Sequence, residues 1–148
     1  MKFYLASRYD DRRQLCEIRE RLLAQGHEVT ARWLNGSHEL HEGVEHAEDA
    51  RRFAEEDLRD IERADAVVLF NNPASLESVR GGRHIEFGYA LALGKLLLIV
   101  GPRLSVFHHL EQVYQFDQWD ALLECTSLFT MMSLRGAQIH LEMVTESC

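Results

Sequence analysis

Two carboxylates in this sequence stand where burying an acid would be costly. Between Ala47 and Ala64 the apolar residues Ala50, Phe53, Ala54, Leu58 and Ile61 recur at a spacing of about 3.6 residues, the stripe of an amphipathic helix. Asp57 falls inside that stripe: at ~100° per residue it lies between Phe53 and Ile61, while Glu55, Glu56, Arg59 and Glu62 lie mostly on the polar side. Such an acid is either a structural aspartate that caps a loop or pairs with an arginine, or an acid whose pKa is set by partial burial. Glu86 is the second carboxylate. It follows Gly82 near the start of a predicted helix, with Tyr89, Ala90 and Leu93 on its face, and a helix amino end favours the carboxylate anion. A solvated helix-dipole glutamate has the same local pattern; the neighbouring Asp57 helix and the glycine pair give Glu86 its functional reading.

The segment Arg80-Gly81-Gly82-Arg83-His84 brings backbone N–H groups and two guanidinium groups to that helix start. This is how proteins hold a phosphate or a carboxylate, although a tight turn with solvated arginines reads the same way. It is neither the dinucleotide G-x-G-x-x-G nor a P-loop. Ser7 and Arg8, just past the first predicted strand, can converge on the same place, with a surface salt bridge as the alternative for Arg8. His38-x-x-His41 with His46, and the pair His108-His109, have ligand-type side chains but no acidic or thiolate partner at a motif spacing, so no metal site is expected. Cys16, Cys125 and Cys148 are odd in number and show no C-x-x-C spacing; they read as ordinary thiols.

The elements that must position these groups alternate. Lys2–Ala6 reads as a strand, 11–25 as a helix stopped by Gly26, and 27–33 as a second strand. After a polar loop over 35–44 comes the helix over 47–64, then Ala66–Phe70, a continuous apolar run of the kind that is covered on both faces. A loop over 71–82 leads to a helix over 83–93 with Gly94 as its stop, a buried strand at Leu96–Val100, a fifth strand at Val113–Phe116, and a helix begun at Asp117. The chain from Phe129 to Cys148 has no clear period. The pattern implies an α/β fold, a doubly wound parallel sheet of about five strands, flavodoxin- or Rossmann-like, flanked by helices. The main domain is read as 1–128, with 129–148 as an extension. In such sheets ligands sit at the carboxyl ends of the strands, which points to Ser7–Tyr9, the loop over 71–82, and the loop after Val100.

Composition bounds the partners. At 148 residues, 46% hydrophobic and 27% charged, the chain fits one domain with a sizeable core. A net charge of −8 argues against a broad nucleic-acid surface, so an anionic ligand needs a local basic pocket. No apolar stretch approaches the ~20 residues of a membrane span, and polar residues follow Ala6 too soon for a signal peptide; a cytoplasmic protein is expected.

Three motifs carry a resemblance. These are Phe3-Tyr4-Leu5-Ala6-Ser7; Glu56-Asp57-Leu58-Arg59-Asp60-Ile61 leading into Ala64-Asp65-Ala66-Val67-Val68; and Gly81-Gly82-Arg83-His84-Ile85-Glu86-Phe87-Gly88-Tyr89-Ala90 followed by Gly94-Lys95. Over roughly residues 1–123 the chain resembles the nucleoside 2-deoxyribosyltransferase superfamily, including its relatives that hydrolyse nucleoside 5′-monophosphates. The resemblance implies Glu86 as nucleophile, Asp57 as the second-helix aspartate near the leaving base, and Tyr4 as the tyrosine that orients the glutamate. It also implies no metal or redox cofactor, a nucleoside or nucleoside 5′-monophosphate as substrate, and a homodimer or larger homo-oligomer.

The chain departs from the base-exchanging members at Arg80, where they carry an acid six positions before the glutamate. The carboxamide that they contribute near the chain end has no match in the tail from Phe129. An arginine-flanked Gly-Gly favours a phosphorylated substrate, so the expected activity is hydrolysis of a nucleoside 5′-monophosphate, with deoxyribosyl transfer as the alternative. A non-catalytic nucleotide sensor is the rival from another class; it would need the Gly-Gly cradle but neither a buried Asp57 nor Tyr4. Tyr9 and Trp33 are the aromatic candidates for stacking on a base.

Overall fold

Five short segments, of which β3 and β4 are wholly apolar, form five parallel strands: β1 (Lys2–Ala6), β2 (Glu28–Val29), β3 (Ala66–Phe70), β4 (Leu96–Val100) and β5 (Val113–Phe116), in the order β2-β1-β3-β4-β5. The computed structural model describes residues 1–39, 47–71 and 81–133, with side chains described as far as residue 126. Parallel neighbours need long crossovers, supplied by α1 (Arg12–Ala24), α2 (Ala47–Arg63) and α3 (Gly82–Ala92); α4 (Trp119–Ser133) follows the last strand. β3 lies at the centre of the sheet, pairing Val67 with Tyr4 of β1 and with Leu97 of β4. Helices cover both faces, which is why its sequence is apolar throughout instead of alternating. The core runs from Phe3, Leu5, Leu15, Ile18 and Leu22 across β3 and β4 to Leu122 and Leu123. Among the described residues no helix is long and apolar enough to cross a membrane.

Three expectations are corrected. The second strand is short, Glu28–Val29, and the chain then turns into a 3-10 segment at Arg32–Asn35. Tertiary partners capture it there: Asp60 accepts the Arg32 backbone N–H at 2.9 Å, and the Trp33 indole donates to the Leu5 carbonyl at 2.9 Å. The buried face of α2 is rotated from the predicted stripe: Phe53, Asp60 and Ile61 are buried, whereas Ala50 and Ala54 are exposed. Finally, α4 runs on through Phe129 to Ser133, where no helical period was read.

One turn at the carboxyl edge is specified sterically. Gly101 has φ +99°, and a Cβ there would stand 2.1 Å from the backbone oxygen of Asn71. The same turn ties three strand ends together, Asn71 N–H to the Val100 carbonyl and Gly101 N–H to the Phe116 carbonyl, both at 2.9 Å. Gly101→Ala should therefore destabilise the protein by about 3 kcal/mol and lower Tm by roughly 10 °C. Thermal unfolding checks this; a Tm within about 2 °C of the parent would show that the turn adjusts freely.

Candidate active site

Tyr4 is fully buried in the middle of β1, and its side chain projects to the face covered by α2 and α3. There it meets Asp57 of α2 and Glu86 of α3, both half-buried. Two contacts hold the helices that carry these acids. The Lys95 ammonium, just past α3, donates to the Glu62 and Ala64 carbonyls at 2.7 and 2.8 Å and so caps the end of α2. Tyr89 on α3 donates to the Glu62 carboxylate at 2.7 Å. Asp57 and Glu86, 29 positions apart in sequence, are thereby brought over one tyrosine.

Burial sets the electrostatics. It pushes the Glu86 carboxyl up to about 8, with the Asp57 charge adding and the Tyr4 hydroxyl and Arg83 opposing. It pushes Asp57 up to about 7, against the pull of the Tyr4 hydroxyl. The phenol is itself raised well above its ordinary value, by burial first and then by both carboxylates. Near neutral pH the two carboxyls hold about one proton between them. Among the described residues the Tyr4 hydroxyl and Asp57 Oδ1 are both buried without a well-formed hydrogen bond. Such a set can supply a carboxylate nucleophile, a proton donor and an orienting hydroxyl within one cluster.

The expected anion-binding residues divide. Arg83, in the first turn of α3, is 7% exposed; its Nε makes no hydrogen bond among the described residues, and its charge acts on both Glu86 and Asp11. Gly81 and Gly82 are exposed at the start of α3, and a Cβ at either would meet no atom of the described residues within 4 Å.

Ser7 and Arg8 point elsewhere than expected. Both donate to Asp11, Ser7 at 2.9 Å and Arg8 through Nε at 3.1 Å and its terminal nitrogen at 2.7 Å. Although burial pushes the Asp11 carboxyl up, these bonds hold it below the usual carboxylate range. A phosphate at Arg8 would have to displace Asp11. His84 stacks on the buried His108, ring centroids 5.9 Å apart, and burial together with Arg83 lowers its pKa, which leaves it mostly neutral at pH 7. His108 accepts the Leu104 N–H at Nδ1 and is neutral too, lowered to about 4 by burial. Arg80, His41 and His46 lie outside the described residues.

The aromatic candidates also divide. Trp33 is 5% exposed with its N–H engaged, which makes it a core residue and corrects the expectation of a stacking surface. Tyr9 is half-buried, donates to the Gly36 carbonyl at 3.2 Å and has the Arg12 guanidinium 5.7 Å from its ring centre.

Two residues of the neighbourhood were missed by sequence reasoning. Asp60 is fully buried and accepts from Arg32 and Arg63, which fixes α2 against the Arg32–Asn35 turn. Its position on the helical wheel, beside Phe53 and away from Ala54 and Leu58, was the available signal. His38 lies against Asp57 and Glu56, at 3.6 and 3.5 Å, a contact that no local pattern announces. Among the described residues no group of histidine, cysteine and acid side chains could hold a metal ion.

A cleft of about 260 Å³ opens at the carboxyl edge of the sheet, lined by Ser7, Asp11, Asn71, Gly101, Asp117 and Trp119 among others. It is where the strand-end rule places a ligand, yet it contains none of Tyr4, Asp57 and Glu86. Asp11 lines the cleft, and the Arg83 charge acts on both Asp11 and Glu86.

A sequence comparison with curated proteins finds no match. Among solved structures the chain is similar to the CMP N-glycosidase BcmB of Clostridium botulinum, at 19% identity and TM-score 0.57, over 86% of this chain and 99% of that one. It is also similar to a 2-deoxyribosyltransferase of Bacillus psychrosaccharolyticus, at 21% identity and TM-score 0.63, over 83% and 90%. At these identities the structural likeness shows the fold. The family model of nucleoside 2-deoxyribosyltransferases matches residues 3–133, nearly the whole chain, and thus spans β1, α2 and α3 with Tyr4, Asp57 and Glu86. The chain belongs to the nucleoside 2-deoxyribosyltransferase family and is an enzyme of the N-glycosidic bond.

Proposed function

We propose that this enzyme hydrolyses the N-glycosidic bond of a nucleoside 5′-monophosphate, with Glu86 as nucleophile. The observation that carries the reading is the convergence of Tyr4, Asp57 and Glu86 from three elements around about one shared proton. In the first step the Glu86 carboxylate forms a bond to C1′ as the bond from C1′ to the base breaks; the electron pair leaves with the base, which takes a proton from Asp57. In the second step water attacks C1′, loses its proton to the Asp57 carboxylate, and frees Glu86, giving a sugar 5-phosphate. The reactive arrangement has the proton on Asp57. Positive charge developing at C1′ favours it, because an ionised Glu86 beneath that carbon is then stabilised.

Arg83 and the N–H groups at the start of α3 are the phosphate ligands in this reading. Deoxyribosyl transfer between unphosphorylated nucleosides is the second reading. It is favoured by Asp11, whose carboxylate beside Arg83 suits a sugar hydroxyl better than a phosphate. The resemblance further implies a homo-oligomer, which sedimentation would measure directly.

Incubation with deoxynucleosides and their 5′-monophosphates, with and without a second free base, separates the readings. Free base from monophosphates alone supports hydrolysis, and base exchange supports transfer. Tight nucleotide binding without turnover would favour a sensor. Arg83→Ala should lower kcat/KM for both substrate types, since its charge also favours ionised Glu86, but for monophosphates at least about tenfold more. Equal losses on the two would remove the phosphate assignment.

A further inference from the structure

We infer that His38 is a positioning residue for Asp57, its ring N–H directed at the Asp57 carboxyl. The inference rests on the reading of Asp57 as the proton donor. The His38 side chain is 5% exposed, and its ring stacks on Phe53 with centroids 4.4 Å apart and planes 30° apart. Nε2 lies 3.6 Å from Asp57 Oδ1 and 3.5 Å from Glu56 Oε2, and Nδ1 lies 2.9 Å from the Ser37 hydroxyl. Both Nε2 and Asp57 Oδ1 are buried and have no hydrogen-bond partner among the described residues.

These contacts assign the tautomer. A lone pair on Nε2 would face the Glu56 carboxyl oxygen at 3.5 Å, and the Asp57 carboxylate whenever that group is ionised, so the proton belongs on Nε2 and the Ser37 hydroxyl donates to Nδ1. Burial holds the imidazole below its ordinary pKa, so at neutral pH the ring is uncharged. A separation of 3.6 Å is short of a hydrogen bond. A small turn of the Asp57 carboxyl closes it and satisfies two orphaned atoms at once.

The consequence is specific to a proton donor. While Asp57 carries the proton, the neutral N–H makes little demand on it; once the proton has gone to the base, the N–H stabilises the anion left behind. A histidine kept only for its stack on Phe53 would have no reason to aim a buried nitrogen at this carboxyl. The groups that act on the pair are Tyr4 from β1, Glu56, Asp60 and Arg52 from α2, Arg32 from the turn after β2, and Glu86 from α3.

The test uses the whole chain carrying His38→Leu or His38→Gln; glutamine keeps an N–H within reach of Asp57, leucine does not. Two measurements are made: the titration midpoint of the Asp57 carboxyl by carbon NMR, and steady-state kinetics, giving kcat and KM, with the turned-over substrate. Loss of a donor to a carboxylate raises its pKa, so His38→Leu should move the Asp57 midpoint up by about half a unit or more. It should also lower kcat at least about tenfold with KM within about threefold. His38→Gln should restore both most of the way. An unmoved midpoint in the leucine variant, or a glutamine variant that behaves like it, overturns the inference. If His38→Leu does not fold, His38→Phe keeps an aromatic ring on Phe53 without the N–H and takes its place. Should the parent turn over no nucleotide or nucleoside, the proposed reaction fails, and the titration alone still decides the role of His38.

Discussion

Replacing Glu86 by glutamine is expected to lower kcat by at least about a thousandfold and, at alkaline pH, to make the protein more stable. The two effects have one origin. Glu86 lies in the second turn of α3, and it is buried enough that its pKa is pushed up to about 8 from an ordinary value of 4.5. The native state therefore keeps a proton that the unfolded chain releases. Stability from that proton is fully present below about pH 4.5 and is lost as pH rises towards 8. Glutamine does not titrate, so the advantage of the variant should grow across this window and level off above it. Its size should be on the order of 2 kcal/mol, discounted for the part of Glu86 that meets solvent. Urea unfolding at pH 5 and pH 9 measures the stability, and initial rates measure the turnover. More than about a tenth of parental activity in the variant would sink the nucleophile assignment. A stability difference equal at the two pH values would sink the account of burial.

The second large effect concerns the shared proton. The reactive form has Glu86 ionised and Asp57 protonated, so kcat/KM should follow a bell with its maximum between about pH 7 and 8. On the acid side both carboxyls are protonated and the nucleophile is lost; on the alkaline side Asp57 has nothing to give the base. Asp57→Asn should remove the alkaline limb and cost roughly a hundredfold in rate. It should also move the acid limb down, because the Asp57 charge no longer raises Glu86. A substrate whose leaving group needs no proton should lose much less. If the alkaline limb survives in Asp57→Asn, the proton comes from another group and the assignment falls.

Asp60 and Asp57 show how far sequence reading of the site extends. Asp57 was found because it interrupts an apolar stripe, and the structure puts it beside Tyr4 and Glu86. Asp60, more deeply buried than Asp57, does not stand out in the sequence, because the apolar stripe runs through Ala54 and Leu58, residues that can equally lie at a helix flank. An amphipathic pattern gives the direction of the buried face only to within about a residue's rotation. The packing partner settles it, here Arg32, whose backbone and guanidinium close on Asp60. For the same reason Arg8 looked like a free cation: its pairing with Asp11 follows from a 3-10 turn at Tyr9–Asp11, which local composition does not announce.

Residue types alone specify β1, β3, β4 and β5, because apolar runs of four or five residues bounded by polar or turn residues have few other low-energy uses in a chain that alternates with amphipathic helices. Parallel order, and with it the carboxyl-edge location of Ser7, Asn71 and Gly101, follows from that alternation. The contacts between side chains far apart in sequence do not. That Tyr4 lies between Asp57 and Glu86, that Trp33 is core, and that His38 aims at Asp57 all depend on how α2 is rotated and docked. Docking is fixed by a buried aspartate and a lysine cap, and pairwise contacts over such distances leave no periodic trace in sequence.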